Sequence, residues 1–306
     1  MTGVDNRFSD RRDENEMWLV SLAVSPDGRC FATAADSCNI ALWDAQTGTH
    51  ITTLDNAGDI YSLEFLPSGQ LASGNDDGEI SLWDTVTGSR VRTIKKHRDT
   101  IISLSALQSK LASGSKDKTV RMWDTTTWEC TSFECDHAVE SVSLYPNISG
   151  DRVAVCTSEI FYVWEIATQQ LIRSVKVGEC RGLAVSNDGK WLAVAADETI
   201  SLYDASTSTL NCIGSHHRQS SSVSFSLDSS QLMSANFNNG KVELLDVQTG
   251  DLVKSFEHGR VERAVYSYDG TRGLSGESHS GEPSGPSQFS YIYQFPMVLV
   301  DSGISI

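Results

Sequence analysis

The sequence predicts an all-β fold made of repeated four-stranded antiparallel sheets. A hairpin pattern, two short strands joined by a polar turn, occupies residues 111–124 and recurs at residues 71–84 and, more loosely, at residues 31–44. Each hairpin ends in a Trp-Asp pair, and successive pairs are about 40 residues apart. Because one four-stranded sheet cannot bury both of its faces, such copies must stack on one another, as the blades of a β-propeller do.

Later units keep this spacing although their sequences drift. The Trp-Asp ends become Trp164-Glu165, Tyr203-Asp204 and Leu245-Asp246, and a turn at residues 267–270 announces a seventh unit. We therefore predict a seven-bladed ring, with six regular blades and an irregular seventh as the alternative. The predicted blades cover residues 17–56, 57–96, 97–136, 137–177, 178–215, 216–257 and 258–306, the last of them divergent.

The two ends of the chain are less regular than the middle. Residues 1–16 are polar and charged without a strand pattern, which predicts a flexible lead-in. Residues 276–287 are rich in Gly, Ser and Pro and predict an extended loop, followed by two candidate strands at residues 289–295 and 297–300. If those strands complete the blade, the ring closes on consecutive chain. The alternative is that part of residues 4–16 supplies the outer strand.

Composition excludes several classes of function. The formal charge of −16 disfavours a nucleic-acid partner, since each phosphate contact needs a cation and the mean field repels a polyanion. No run of about 18 apolar residues is present to span a membrane, and the N-terminus lacks the apolar centre of a signal peptide. Seven scattered cysteines, an odd number, favour reduced thiols in a cytoplasmic or nuclear protein.

Taken together, these repeats resemble the WD-repeat β-propeller family, over roughly residues 17–275. In that family a blade is braced by a His in the loop entering the blade, a Ser or Thr ten residues before the Trp, an Asp six residues before it, and the Trp itself. The third unit matches at every place, with His97, Ser113, Asp117 and Trp123. The resemblance implies a buried relay in which the carboxylate orients the imidazole and the hydroxyl satisfies the indole N–H.

A His/Ser/Asp set is also what a catalytic triad requires, and repetition decides between the two interpretations. The second unit keeps Ser73, Asp77 and Trp83, with Asn56 near the His place, and the first keeps Thr33 and Trp43, with Ser37 at the Asp place. A triad is needed once, whereas a brace is needed in each blade, so the structural interpretation is favoured. The later units lose the set together, which predicts that apolar packing holds them.

No motif specifies a reaction, a cofactor or a metal. Cys130, Cys135 and His137 have a spacing that suits a zinc site, but no second close pair completes four ligands. The first strands present apolar residues at the positions expected to line the channel, as at Leu63 and Phe65, without the acids or His that a propeller enzyme would need. We therefore predict a protein that is not an enzyme and binds no cofactor.

The resemblance also implies where partners bind. In the family the loops entering the blades gather at one end of the ring, called the top, and the residue opening each first strand points into the central mouth. By alignment these residues are Val20, Tyr61, Ile102, Glu140, Arg181, Ser221 and Glu262, with Trp18 two positions before the first. Trp18, Tyr61 and Ile102 form an apolar sector of the kind found at interface hot spots.

We therefore predict a scaffold that binds protein or peptide partners at the top, as a monomeric propeller within a complex. The alternatives are a substrate-recognition subunit of a larger regulatory complex and a propeller enzyme. Residues 90–121 contain nine Lys or Arg against two Asp on an otherwise acidic chain. The family's geometry places five of these cations at the top: Lys95, Lys96, Arg98, Lys116 and Lys118. An acidic or phosphorylated peptide is the predicted partner, and a solvated edge without a partner is the alternative.

Overall fold

The computed structural model is built from β-strands. It describes residues 16–17, 19–35, 39–55, 58–147, 150–206, 212–217, 220–236, 239–257, 260–266, 272–280 and 292–296. A two-residue strand, β1 (Glu16–Met17), comes first. Six four-stranded antiparallel sheets follow, and in each of them four consecutive strands lie side by side in sequence order. None of the described ranges contains a helix long and apolar enough to cross a membrane.

The first three blades are joined by short connections. Blade 1 contains β2 (Leu19–Val24), β3 (Cys30–Ala35), β4 (Asn39–Asp44) and β5 (His50–Asp55). Blade 2 contains β6 (Ile60–Phe65), β7 (Leu71–Asn75), β8 (Glu79–Trp83) and β9 (Arg90–Lys95). Blade 3 contains β10 (Ile101–Leu107), β11 (Lys110–Ser115), β12 (Thr119–Asp124) and β13 (Cys130–Glu134).

The next three blades repeat the same order. Blade 4 contains β14 (Val139–Tyr145), β15 (Arg152–Thr157), β16 (Ile160–Glu165) and β17 (Leu171–Lys176). Blade 5 contains β18 (Cys180–Val185), β19 (Trp191–Ala196), β20 (Thr199–Asp204) and β21 (Cys212–His217). Blade 6 contains β22 (Ser222–Phe225), β23 (Gln231–Asn236), β24 (Lys241–Asp246) and β25 (Leu252–Glu257). The first strands of neighbouring blades contact one another, which makes them the innermost strands of the ring.

An irregular seventh sheet lies between blades 6 and 1. It contains β26 (Arg260–Tyr266), β27 (Arg272–Ser280) and β28 (Ile292–Pro296). β26 pairs with one edge of β27. It also contacts β22 and β23 of blade 6 and β2 of blade 1, the two neighbouring blades. The prediction of an all-β propeller of four-stranded antiparallel blades is therefore confirmed, in its form with six regular blades and an irregular seventh.

Both ends of the chain share the other edge of β27. β28 pairs with residues 272–276 and β1 pairs with residues 279–280. The sequence left two alternatives for closing the ring, by the C-terminal strands or by an N-terminal strand. The structure combines them, because β27 is long enough to pair with both β28 and β1. The predicted loop begins too early, since residues 276–280 continue β27. The candidate strand at residues 297–300 lies outside the described residues.

One Asp caps the turn between the third and fourth strands in blades 1, 2, 3 and 6. In blade 1, Asp44 Oδ1 accepts the N–H groups of Gln46 and Thr47 at 2.9 and 2.7 Å, and the equivalent carboxylates of Asp84, Asp124 and Asp246 do the same. Hydrogen bonds from Thr126 and Thr127 lower the pKa of Asp124 to about 2. The Asp of each Trp-Asp pair is therefore a turn cap.

The core is a series of apolar clusters between neighbouring blades. Trp83 packs with Ile40 and Leu63 between blades 1 and 2, and Trp123 packs with Ile80 between blades 2 and 3. Each blade thus buries both faces against its neighbours, which is the reason that the repeats must stack.

The expectation that apolar residues of the first strands, such as Leu63 and Phe65, line the channel is wrong. Leu63 and Phe65 are buried between blades, and the polar residues beside them reach the next inner strand instead. The backbone N–H groups of Leu63, Leu104 and Val142 donate to the hydroxyl oxygens of Ser21, Ser62 and Ser103 at 2.9–3.1 Å. Glu64 Oε1 accepts the N–H of Ala106 at 3.1 Å in the same way. Inner strands need these partners because their inner edges have no neighbouring strand.

Two of the cysteines are paired across the seam between blades 4 and 5. Cys156 on β15 and Cys180 on β18 form a disulfide with a Cα–Cα distance of 5.9 Å. The expectation that the thiols are reduced is therefore wrong at these two positions. Residues 24 apart in sequence meet here only because the two blades pack face to face. The spacing of the cysteines in the chain contains no signal of this contact.

Candidate functional site

The structure brings the four predicted brace residues of blade 3 together. His97 Nδ1 lies 3.0 Å from Asp117 Oδ2, and His97 Nε2 lies 2.7 Å from Ser113 Oγ. Trp123 Nε1–H donates to the same Ser113 oxygen at 2.9 Å. Burial lowers the pKa of His97, so the imidazole is neutral, donates from Nδ1 to Asp117 and accepts the Ser113 hydroxyl at Nε2.

Solvent exposure separates this brace from a catalytic triad. Ser113 is 0% exposed, and its hydroxyl is occupied by His97 on one side and the Trp123 indole on the other. A nucleophile must reach its substrate, and no route to this oxygen exists while Trp123 is packed in the core. The geometry therefore supports a structural role for the relay.

The other blades keep only part of the set. In blade 2, Trp83 Nε1–H donates to Ser73 Oγ at 2.9 Å, but Asp77 is exposed, and Asp76 instead accepts the Asp59 N–H at 3.1 Å. In blade 1, Trp43 Nε1–H donates to Thr33 Oγ1 at 2.8 Å. Ser37 of blade 1 and Asn56, predicted near the His place of blade 2, lie outside the described residues. In blade 4, Trp164 stacks on Tyr162 with 4.9 Å between ring centroids, so aromatic packing replaces the brace.

A β-bulge sits at nearly every position predicted to face the mouth. The pairing of the first and second strands skips one residue at Val20, Tyr61, Ile102, Glu140, Arg181 and Glu262, and Ser221 directly precedes β22. A bulged residue leaves the ladder, and its side chain is aimed away from the regular alternation. Val20, Tyr61, Ile102, Glu140 and Ser221 are half-buried, and Arg181 is exposed. Trp18 and the side chain of Glu262 lie outside the described residues.

A network of charged and aromatic groups connects three of these mouth positions, Tyr61, Glu140 and Arg181. Lys116 Nζ, from the blade 3 turn, lies 5.7 Å from the centroid of the Tyr61 ring. Burial raises the pKa of Glu140, the negative charge of Glu179 raises it further, and Lys116 opposes both. Arg181 pairs with Glu179 at 3.1 Å. We call Tyr61, Ile102, Lys116 and Glu140 the mouth sector.

The five predicted top cations have different neighbours in the structure. Lys116 leans over Tyr61, whereas Lys96 Nζ lies 5.8 Å from the centroid of the Trp123 ring and 3.5 Å from Cys130 Sγ, in the seam between blades 2 and 3. Arg98 is exposed in the loop entering blade 3, and Lys118 is exposed in the hairpin turn at φ 67°. Lys95 is the exposed last residue of β9.

The candidate zinc residues do not assemble. Cys130 contacts Lys96, and His137 Nε2 lies 4.0 Å from Glu159 Oε2. Burial raises the pKa of the Cys135 thiol to about 12, which disfavours the thiolate that zinc would need. Across the described ranges no three His, Cys, Asp or Glu side chains are grouped closely enough to hold a metal ion.

Sequence reasoning missed the serines that bridge neighbouring blades. Ser21, Ser62 and Ser103 recur at one place in three successive units, and this recurrence was the available signal. It also missed that Arg121 lies in the same seam as Lys96, with Nη1 3.9 Å from Cys130 Sγ. No sequence period predicts that Lys96 reaches the same sulfur, because that contact joins two different blades.

Comparison with known proteins agrees with this geometry. The family model described as "WD domain, G-beta repeat" matches residues 13–44, 48–84, 88–124 and 170–204. Among solved structures, "Structure of U3-55K" is similar with a TM-score of 0.78 and 17% sequence identity, over 94% of this chain and 97% of that chain. That likeness shows the fold. Comparison with curated proteins finds no match.

Proposed function

Because the chain belongs to the WD-repeat β-propeller family, we propose that it is a non-catalytic scaffold whose mouth sector binds a protein partner. The observation that carries this proposal is the bulge at Tyr61 and Ile102, which turns an aromatic and an aliphatic side chain out of the sheet beside a cation. Apolar anchors with a charged neighbour are typical of interface hot spots. The His/Ser/Asp relay has a structural explanation, which supports the absence of catalysis.

The charge of the sector suggests the chemistry of the partner. Lys116 has no carboxylate within 4.0 Å among the described residues, and exposed Arg98 and Lys118 likewise have none. On a chain of charge −16, such a positive region steers an acidic or phosphorylated peptide toward the mouth. Tyr61 and Ile102 then anchor the apolar side chains of that peptide.

Blade packing and the cysteines suggest the oligomeric state and the location of the scaffold. We propose a monomeric propeller within a larger complex, because the described blades bury their faces against one another and leave the mouth for a partner. We place it in the cytoplasm or nucleus, since four of the six cysteines in the described ranges, Cys30, Cys130, Cys135 and Cys212, are free thiols.

Affinity capture with matched variants tests the proposal. The wild type and Tyr61→Ala/Ile102→Ala are compared with Ile51→Ala/Leu171→Ala, in which two exposed outer-strand residues are truncated instead. Quantitative proteomics should show a protein that the mouth variant loses and the control variant keeps. Its binding should weaken with salt, and Lys116→Glu should reduce that salt dependence. Equal capture by all three proteins would contradict the proposal.

A further inference from the structure

Three cations line the outer part of the seam between blades 2 and 3, where Trp128 and Cys130 pack against the same apolar cluster. Arg92, on β9, stacks over the ring of Trp128 with 5.7 Å from its Cζ to the ring centroid. Lys96, in the loop that follows β9, stands over Trp123 and reaches Cys130 Sγ. From blade 3, Arg121 Nη1 contacts the same sulfur at 3.9 Å. We call Arg92, Lys96, Arg121, Trp128 and Cys130 the blade 2–3 cleft.

The positive charge of this cleft is not compensated within the described part of the chain. None of its three cations has a carboxylate within 4.0 Å. Several other cations do have one, and these pairs are Arg90–Glu79, Lys110–Asp151, Lys176–Glu159, Lys190–Asp188 and Lys241–Glu257. Lys96 and Arg121 touch one sulfur atom, so their like charges repel each other across a short distance.

A buried donor in the cleft also lacks its acceptor. Arg121 Nε is shielded from solvent and has no hydrogen-bond partner among the described residues. Buried polar groups in native proteins almost always have a hydrogen-bond partner, so an unpaired buried N–H indicates that a ligand can occupy the site. An oxygen-rich anion bound at the guanidinium would neutralise the repulsion, and a shift of the Arg121 side chain on binding would let it accept from Nε as well.

The repeat does not require these cations. Arg121 pairs across the sheet with the brace residue Ser113, as Ala41 pairs with Thr33 and Ser81 with Ser73 in the two preceding blades. Alanine and serine therefore satisfy the same structural position. The fold of blade 3 does not account for a guanidinium there.

We propose that the blade 2–3 cleft binds a phosphorylated side chain of a partner protein. Two guanidinium forks and one ammonium group match the charge and the oxygen geometry of a phosphate dianion better than those of a carboxylate. Trp128 holds the guanidinium of Arg92 in place before binding, which lowers the ordering cost. A peptide fits better than a nucleic acid, because three cations suit a single phosphate and the acidic body repels a long polyanion. This site is separate from the mouth sector and does not depend on the function proposed there.

Cys130 provides a local readout of the charge in the cleft. Iodoacetate is anionic and iodoacetamide is neutral, and mass spectrometry gives the ratio of their rates at each cysteine. We expect that ratio to be at least about threefold higher at Cys130 than at exposed Cys212, whose sulfur contacts the Gly214 carbonyl instead of cations. Lys96→Gln should remove the difference and Lys96→Arg should keep it. Lys96 is exposed, so neither change threatens the fold. Equal ratios at the two cysteines in the wild type would overturn the proposal.

Peptide protection tests the ligand. Gly-Gly-phosphoserine-Gly-Gly should slow the reaction of Cys130 with neutral iodoacetamide, and the Ser and Glu versions of the peptide should not. Cys212 should react at the same rate throughout, and Lys96→Gln or high salt should abolish the protection. Protection by the Glu peptide equal to that by phosphoserine would overturn the choice of phosphate. Stronger protection by an RNA oligonucleotide would overturn the choice of a protein ligand, and no protection would overturn the site.

Discussion

Replacing Asp117 by alanine should destabilise the protein, because this carboxylate holds the relay of blade 3 in place. Asp117 Oδ2 accepts from His97 Nδ1 and from the Arg98 N–H, and Oδ1 accepts from Thr119 Oγ1 at 2.6 Å and from the Thr119 N–H at 3.0 Å. Without it, a histidine that is 3% exposed loses the carboxylate that accepts its Nδ1–H, and the Thr119 hydroxyl at 3.1 Å is left as the acceptor. Breaking this buried network costs about 1–3 kcal/mol, and the loop bonds raise the total to roughly 2–4 kcal/mol.

Thermal and urea unfolding measure this effect. With an unfolding entropy of about 2.1 cal/mol/K per residue, a loss of roughly 2–4 kcal/mol lowers the Tm by about 3–6 °C. The matched control is Asp77→Ala, because Asp77 stands at the same place in blade 2 but is exposed. That variant should change stability by less than about 0.5 kcal/mol. Equal effects of the two substitutions, or an unchanged Tm for Asp117→Ala, would refute the reasoning.

Three further predictions concern stability. Burial raises the pKa of Glu64 from 4.5 to about 7. The folded state therefore binds more protons than the unfolded state between these values, and stability is lost as pH rises through that window. Glu64→Gln should be more stable than the wild type by about 1–3 kcal/mol at pH 8 and nearly equal to it at pH 4.5, and equal urea midpoints at both pH values would contradict this. Gln169 has a φ of 57°, and the equivalent turn position in other blades is a glycine, at Gly48, Gly88 and Gly250. Gln169→Gly should therefore stabilise the folded state by about 0.5–1 kcal/mol, and Gly88→Gln should destabilise it. Urea midpoints of the two variants measure both effects. Cys156→Ala/Cys180→Ala should cost about 2–4 kcal/mol, since the disulfide closes a loop between residues 24 apart, and labelling of both thiols in denaturant without reductant would argue against the bond.

Local pattern in the sequence was sufficient for the repeat and the strands, and the family resemblance supplied the relay. A hairpin sets which residues lie opposite each other, so the ten-residue spacing from Ser113 to Trp123 already places the indole beside the hydroxyl. Turn residues act within a few positions of themselves, as Asp44 does. The residues assigned to the mouth came from the resemblance to the family, and the bulges at these positions were found only in the structure.

Contacts between blades were decided only by the tertiary structure. Because both faces of a blade are buried, alternation of apolar and polar residues does not show which side chains contact the next blade. The hydrogen bond from the Leu104 N–H to Ser62 was missed for that reason. The disulfide and the contact of Lys96 with Cys130 join segments from different sheets, and the seventh sheet pairs β27 with strands from distant parts of the chain. Such contacts depend on how the closed ring brings faces together, which no local spacing encodes.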